Sequence, residues 1–282
     1  MNVRNAGLAL LIAAVLILCA CEEDRFAANA DDGVLTVYYF NVGQGDAALA
    51  VLNDVMILFD AGTNESEEKL AAYLDRLGIE KIDCMVLSHP HEDHIGGADL
   101  VAERFEVGCI VMPDSDSDDR CYLDLVDAVT AAGITVFEAT SGDSFAFGEL
   151  TLDVLAPFEL TGDANLDSVI AKLTYGEASF LFTGDCEGEA ETRLVEKAGN
   201  LLEADVLKVG HHGSNTATSE AFLECVRPVI AVISCGQDND YGHPHSEVIS
   251  RLDSHGVTVG RTDLGKSVTV SSDGKDVWVG SE

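Results

Sequence analysis

The stretch Ser88-His89-Pro90-His91-Glu92-Asp93-His94 puts four metal-type donors within six residues, and Ile95-Gly96-Gly97 follows it. The run before it, Asp83 to Leu87, is apolar and reads as a buried strand. Ile95 to Phe105 has the apolar spacing of a short helix. A strand, a donor-rich loop and a helix present a metal at the edge of a sheet. Imidazoles at alternate positions of an extended loop aim at one point. The following Asp and His then serve a second point nearby. Nitrogen and carboxylate donors suit zinc, and also manganese or iron.

Two later stretches supply more donors of the same kind. Asp185 follows the apolar strand Ser179 to Thr183 and a glycine that permits a tight turn, so its carboxylate can bridge two cations. Glu187, two residues on, is placed for a water or a substrate group. His211-His212-Gly213-Ser214 ends another apolar strand, Val206 to Val209. Adjacent side chains there point to opposite sides, so one histidine is a ligand and the other faces substrate, to hydrogen-bond an oxygen or to protonate a leaving group. Ser214 and the Gly213 amide are placed to hold an anionic oxygen. His243, before Pro244, is a candidate substrate contact. Asn41, Gln44 and Asp46 lie on a glycine turn, where they either line the cleft or make the turn.

Composition weighs against tight binding of polyanions. The 282 residues carry a formal charge of −34, which repels nucleic acid and anionic membranes at long range. Arg4 and the apolar run Leu8 to Leu18 make residues 1–21 a leader too short for a comfortable membrane span. It ends Leu18-Cys19-Ala20-Cys21, similar to a bacterial lipobox. Cleavage before Cys21 would leave that residue lipidated, the acidic residues 22–33 as a tether, and the protein facing outside the cytoplasmic membrane. No Cys-x-x-Cys pair is present, so a zinc ribbon is not expected. Cys109 and Cys121 flank an acidic loop and are the first pair to test for a disulfide, while most of the others lie in apolar runs and read as buried small residues. No protein partner is expected.

From residue 34 to 282 the pattern reads as a single domain. Several strands open each half, and alternating strand and helix follow. Two mixed sheets with helices outside satisfy this order, an α/β (α+β) four-layer αββα sandwich.

The set of motifs resembles the metallo-β-lactamase-fold hydrolases, and more narrowly the soluble hydrolase domain of the ComEC family of DNA-uptake competence proteins. The matching pieces are Phe40 to Asp46, Ser88 to Gly97, Phe182 to Asp185, Val209 to Ser214 and Tyr241 to Pro244. The resemblance implies two divalent metal ions, zinc or manganese. It assigns His89 and His91 to one, Asp93 and His94 to the other, Asp185 as bridge and His212 as the last ligand. His211 then becomes the substrate-side residue, with Glu187 and His243 in support, and Asp93 also orients a metal-activated hydroxide. The implied substrate is a phosphodiester, in nucleic acid or an envelope phosphoester. The rival reading is a non-catalytic, metal-stabilised binding module of DNA uptake or the envelope. Many relatives supply one more histidine to the first metal, but no histidine lies between His94 and His211. Asp163, Asn165 or Asp167 is the expected substitute, unless a water serves.

Overall fold

Alternation along the first strand sets the layering. In β1 (Leu35–Tyr39), Leu35, Val37 and Tyr39 face one apolar cluster, while Tyr38 and the following Phe40 face another. Every residue of β1 is buried, as a strand covered on both faces requires. The computed structural model describes residues 33–115 and 117–280. The expected leader with Cys21, and the tether up to residue 32, lie outside the described residues.

After β1 come β2 (Ala47–Leu52), β3 (Val55–Ala61), helix α1 (Glu67–Arg76), β4 (Lys81–Ile82) and β5 (Cys84–Val86). Helices α2 (Glu92–Ile95) and α3 (Ala98–Arg104) lead to β6 (Glu106–Val107), β7 (Cys109–Met112), α4 (Arg120–Ala132) and β8 (Thr135–Glu138). The second half runs β9 (Ser144–Phe147), β10 (Leu150–Ala156), β11 (Ile170–Tyr175), β12 (Ala178–Phe182), α5 (Gly188–Lys197), β13 (Val206–Lys208), α6 (Glu220–Val226), β14 (Ile230–Ile233) and α7 (Ser246–Ser254). It closes with β15 (Thr258–Arg261), β16 (Val268–Ser272) and β17 (Val277–Val279).

One sheet has the order β17-β16-β1-β2-β3-β5-β7-β8 and the other β15-β14-β13-β12-β11-β10-β9. Their inner faces share one core, in which the Phe59 and Phe182 rings stack across the sheets at 3.7 Å. Helices α1, α3 and α4 cover the outer face of the first sheet, and α5, α6 and α7 that of the second. This is the expected four-layer αββα sandwich.

The last two strands do not stay with the second half. β16 returns to pair antiparallel with β1, Val37 opposite Val270, and closes the first sheet. β3, β5, β7 and β8 run parallel, as do β12 to β15. The donor-bearing loops leave the C-terminal ends of β5, β12 and β13, where open parallel sheets present ligands, and Asp60 lies beside them in the last residues of β3.

Two sequence expectations change. The donor stretch is not extended throughout: His91 caps α2, so Asp93 and His94 sit on one helical turn. Cys109 does not meet Cys121, and the described cysteines are all free. Cys109 packs on the inter-sheet core beside Cys84, whereas Cys121 on α4 belongs to the outer cluster, so the sheet separates them.

Candidate metal centre

Three loops converge because two glycines let them approach. A Cβ on Gly184 would lie 2.7 Å from the Cβ of Ser88, and the glycine itself has φ +47°. A Cβ on Gly45 would lie 2.5 Å from the Asp93 carbonyl oxygen, which instead accepts the Asp46 N–H at 3.0 Å. His211 and His212 both hold left-handed backbone, φ 45° and 53°. Such positions cost about 1–3 kcal/mol each and concentrate at functional sites.

The side chains so gathered form two donor groups that share Asp185. Asp93, His94, Asp185 and His212 make one, and His89, His91 and Asp185 the other. In the first, His212 Nε2 lies 3.1 Å from Asp93 Oδ2 and 3.5 Å from Asp185 Oδ1. His94 Nε2 is 3.1 Å from the same Asp185 oxygen; both atoms are buried and neither makes a hydrogen bond. In the second group, His89 Nε2 and His91 Nδ1 converge to 2.9 Å, with Asp185 Oδ2 3.9 Å from His89. His91 is exposed, so this side of the centre opens to solvent.

Electrostatics give the donors a common demand. Burial opposes charge on His212, but Asp185 and Asp46 outweigh it and push the ring up to about 10. His94 is likewise driven well above its usual range by Asp185 and Asp60, against burial. Burial would raise Asp185 and Asp93; the surrounding histidines outweigh it and hold both carboxyls below the usual range. His89 is kept neutral by burial and by positive His94. The carboxylates thus draw positive charge onto donors that are mostly buried. Divalent cations meet that demand in place of protons, and neutral imidazoles with carboxylates are their ordinary donors. The residues present therefore fit a two-metal centre.

Two buried carboxylates aim these donors: Asp60, which the sequence did not single out, and Asp46, expected either to line the cleft or to make its turn. Asp60 Oδ2 accepts from His94 Nδ1 at 2.8 Å and from the Ser88 hydroxyl at 2.9 Å. Ser88 Oγ in turn lies 3.0 Å from His89 Nδ1. One carboxylate therefore fixes the tautomer of a ligand in each group. Asp46 is the second support. Its Oδ1 is 3.2 Å from His212 Nδ1, which donates to the Ser234 carbonyl at 3.0 Å. Its Oδ2 receives buried Lys208 Nζ at 2.6 Å. The available signal was a carboxylate at the end of a buried strand, as in Asp60-Ala61-Gly62. Asp60→Asn should weaken metal binding about 10–100-fold, read by competition with a chelator, since it removes a tautomer-fixing acceptor. An unchanged affinity would count against that role.

The remaining expected residues separate. His211 Nδ1 donates to Glu187 Oε2 at 2.7 Å, and Nε2 lies 3.7 Å from Asp185 Oδ2, on the open side. His243 packs its ring 5.8 Å from His211 and 6.3 Å from His212. Burial and the neighbouring histidines push it down to about 4. Ser214 is buried and bonded to Thr216 Oγ1, which also donates to Glu187. Asn41 Oδ1 accepts from Gly43 N, so it makes the turn. Gln44 Oε1 accepts from Gly236 N and ties that turn to the loop after β14.

The expected substitutes for the absent histidine turn away. Asp167 accepts from Thr161 N and Gly162 N, and Asp163 from Asn165 N and Leu166 N. Among the described residues neither they nor Asn165 joins a donor group, and the nearest group from that loop is Ser168 Oγ, 3.4 Å from His89 Nδ1. The His89–His91–Asp185 group thus keeps three protein donors against four in the group of Asp93, His94, Asp185 and His212.

The Metallo-beta-lactamase superfamily profile matches residues 40–237. The chain belongs to the metallo-β-lactamase superfamily. This chain of the superfamily is 35% identical over 199 residues to ComE operon protein 3 of Bacillus subtilis, covering 70% of itself and 25% of that protein. It is 33% identical over 261 residues to Competence protein ComA of Neisseria gonorrhoeae, covering 92% of itself and 35% of that protein. Recombination protein 2 of Haemophilus influenzae matches at 32% over 237 residues, 82% of this chain and 28% of the other. The chain thus spans roughly a quarter to a third of these relatives. Solved structures share the metallo-β-lactamase fold. YhfI of Bacillus subtilis aligns with a TM-score of 0.56 at 15% identity, covering 89% of this chain and 100% of that one. Igni18 of Ignicoccus hospitalis aligns at 0.55 and 19%, covering 84% and 98%.

Proposed function

We propose that the protein is a metal-dependent phosphodiesterase. The observation that carries this is the pairing of two donor groups through Asp185, with the His211–Glu187 pair facing the shared carboxylate from the open side. Bound there, two divalent cations, zinc or manganese, supply an activated water nucleophile and neutralise charge on phosphoryl oxygens. The chain supplies the rest. Asp93, with its side chain 31% exposed, reaches the solvent edge of the four-donor group and orients the attacking water. Glu187 fixes His211 through Nδ1, which leaves Nε2 aimed at the site to hold the proton destined for the leaving oxygen. Buried Ser88, Asp60 and Asp46 keep water from reaching the ligands from behind.

Relatives named for competence and recombination support a nucleic-acid phosphodiester as substrate, with an envelope phosphoester as the other source of the same bond. The charge of −34 favours short or surface-attached esters over a long polyanion. With added Mn²⁺ or Zn²⁺ the mature protein should turn over bis(p-nitrophenyl) phosphate and leave the β-lactam nitrocefin intact. Faster nitrocefin hydrolysis would overturn the phosphodiester assignment, and bound metal with no turnover of either would make the protein a binding module. The leader supports a lipid on Cys21 and a position outside the cytoplasmic membrane. Cys21→Ala should then move the protein from the membrane to the soluble fraction, and retention in the membrane would rule that anchor out.

A further inference from the structure

The loop after β14 spends much of its hydrogen bonding on holding one exposed ring. Asn239 is the brace. Its Nδ2 donates to the carbonyls of Gly236 at 2.8 Å and His243 at 2.6 Å, and its Oδ1 accepts from the N–H of Tyr241 and His243. Gln44 pins the start of the loop through Gly236. What this frame presents is Tyr241, 67% exposed, an arrangement that forgoes the burial an aromatic ring normally gains.

The ring does not stand apart from the metal centre. Tyr241 stacks on His243 at 5.6 Å with 23° between planes, and His243 stacks on the ligand His212 at 6.3 Å and 28°. Three rings, tilted by 23° and 28° from one to the next, therefore run from the centre out to solvent. The loop offers a substrate little else: residues 236–246 contain Asp238 and Asp240 and no lysine or arginine. Lys208, beneath the centre, is already paired with Asp46. The loop thus brings no lysine or arginine to a phosphodiester, and its exposed ring is the contact it offers.

We propose that Tyr241, backed by His243, is a stacking platform for the nucleobase next to the scissile phosphodiester. Base-on-aromatic stacking is charge-neutral and tolerant of sequence, which suits an enzyme whose surface repels polyanions. A quaternary ammonium group is the other class an exposed tyrosine binds, but its receptors enclose the cation in several rings. Here one exposed ring ends an offset succession of rings, with no cage around it. The platform rests on the phosphodiesterase reading above, and its test separates the two.

Three esters share a p-nitrophenolate leaving group: thymidine 5′-p-nitrophenyl phosphate, methyl p-nitrophenyl phosphate and p-nitrophenyl phosphorylcholine. Tyr241→Ala should raise KM for the thymidine ester roughly tenfold with kcat little changed, and leave KM for the methyl ester as in the wild type. Tyr241→Trp, which keeps a ring, should restore the thymidine KM. Equal changes on the thymidine and methyl esters, or none on either, would overturn the platform. A loss confined to the phosphorylcholine ester would replace it with a cation site. If the wild-type protein hydrolyses no ester, the phosphodiesterase reading fails. Thymidine 5′-monophosphate binding by calorimetry then decides the platform alone: roughly tenfold weaker in Tyr241→Ala supports it, and equal affinity overturns it.

Discussion

Asp93→Ala should lower phosphodiester turnover on the order of a thousandfold while leaving the fold intact, because several kcal/mol of charge stabilisation depend on a complete centre. The backbone at this position is held without the carboxylate. Asp46 N–H donates to the Asp93 carbonyl, and α2 is capped from His91. The side chain faces His212 Nε2 at 3.1 Å and His94 Nε2 at 4.0 Å, at the rim of the four-donor group. Its loss therefore removes a metal ligand and the water-orienting group without opening a cavity in the core. Circular dichroism should match the wild type. Turnover within about tenfold of wild type would show that the Asp93 group does no essential work.

The largest stability effect should come from Lys208→Met. Lys208 and Asp46 are each 4% exposed, and their contact is 2.6 Å. Removing one partner strands a buried carboxylate, which costs about 3–5 kcal/mol. Lys208 also donates to its neighbour's carbonyl, Val209 O, so part of the loss is local. In metal-free protein the urea midpoint should fall by the equivalent of that cost. The double variant Lys208→Met with Asp46→Asn should lose less than the two single variants added together, since neither then leaves a charge behind. Strict additivity would mean that the pair is not coupled.

The candidate donors were legible in the sequence because a metal demands particular atoms in short runs. His89, His91, Asp93 and His94 lie within six residues, and Asp185 and His212 each follow an apolar strand. Their supports were not, because Asp60, Ser88, Asp46 and Lys208 act through partners 28 to 166 residues away or through a neighbour that is itself remote. Asp46 is the sharpest case. On its own turn it reads as a loop carboxylate, and only the register of β2, β13 and the His212 loop makes it a hub. Layer order followed from alternating strand and helix, but the return of β16 to β1 joins the two ends of the domain and has no local signal. Cys109 and Cys121 misled for the converse reason: closeness along the chain does not survive a sheet passing between them. The loop containing Asp163, Asn165 and Asp167 was read as a ligand source, but its carboxylates satisfy its own backbone.

Inequality of the two donor groups is the centre of this account, and a metal titration tests it most directly. Metal-free protein titrated with Zn²⁺ or Mn²⁺, followed by calorimetry and by elemental analysis after dialysis, should bind two equivalents per chain. The tighter belongs to Asp93, His94, Asp185 and His212, and Asp93→Ala should weaken that step. The weaker belongs to His89, His91 and Asp185, and His91→Ala should abolish it while leaving the tighter step in place. A single equivalent, or two that His91→Ala removes together, would contradict a pair of unequal sites joined through Asp185.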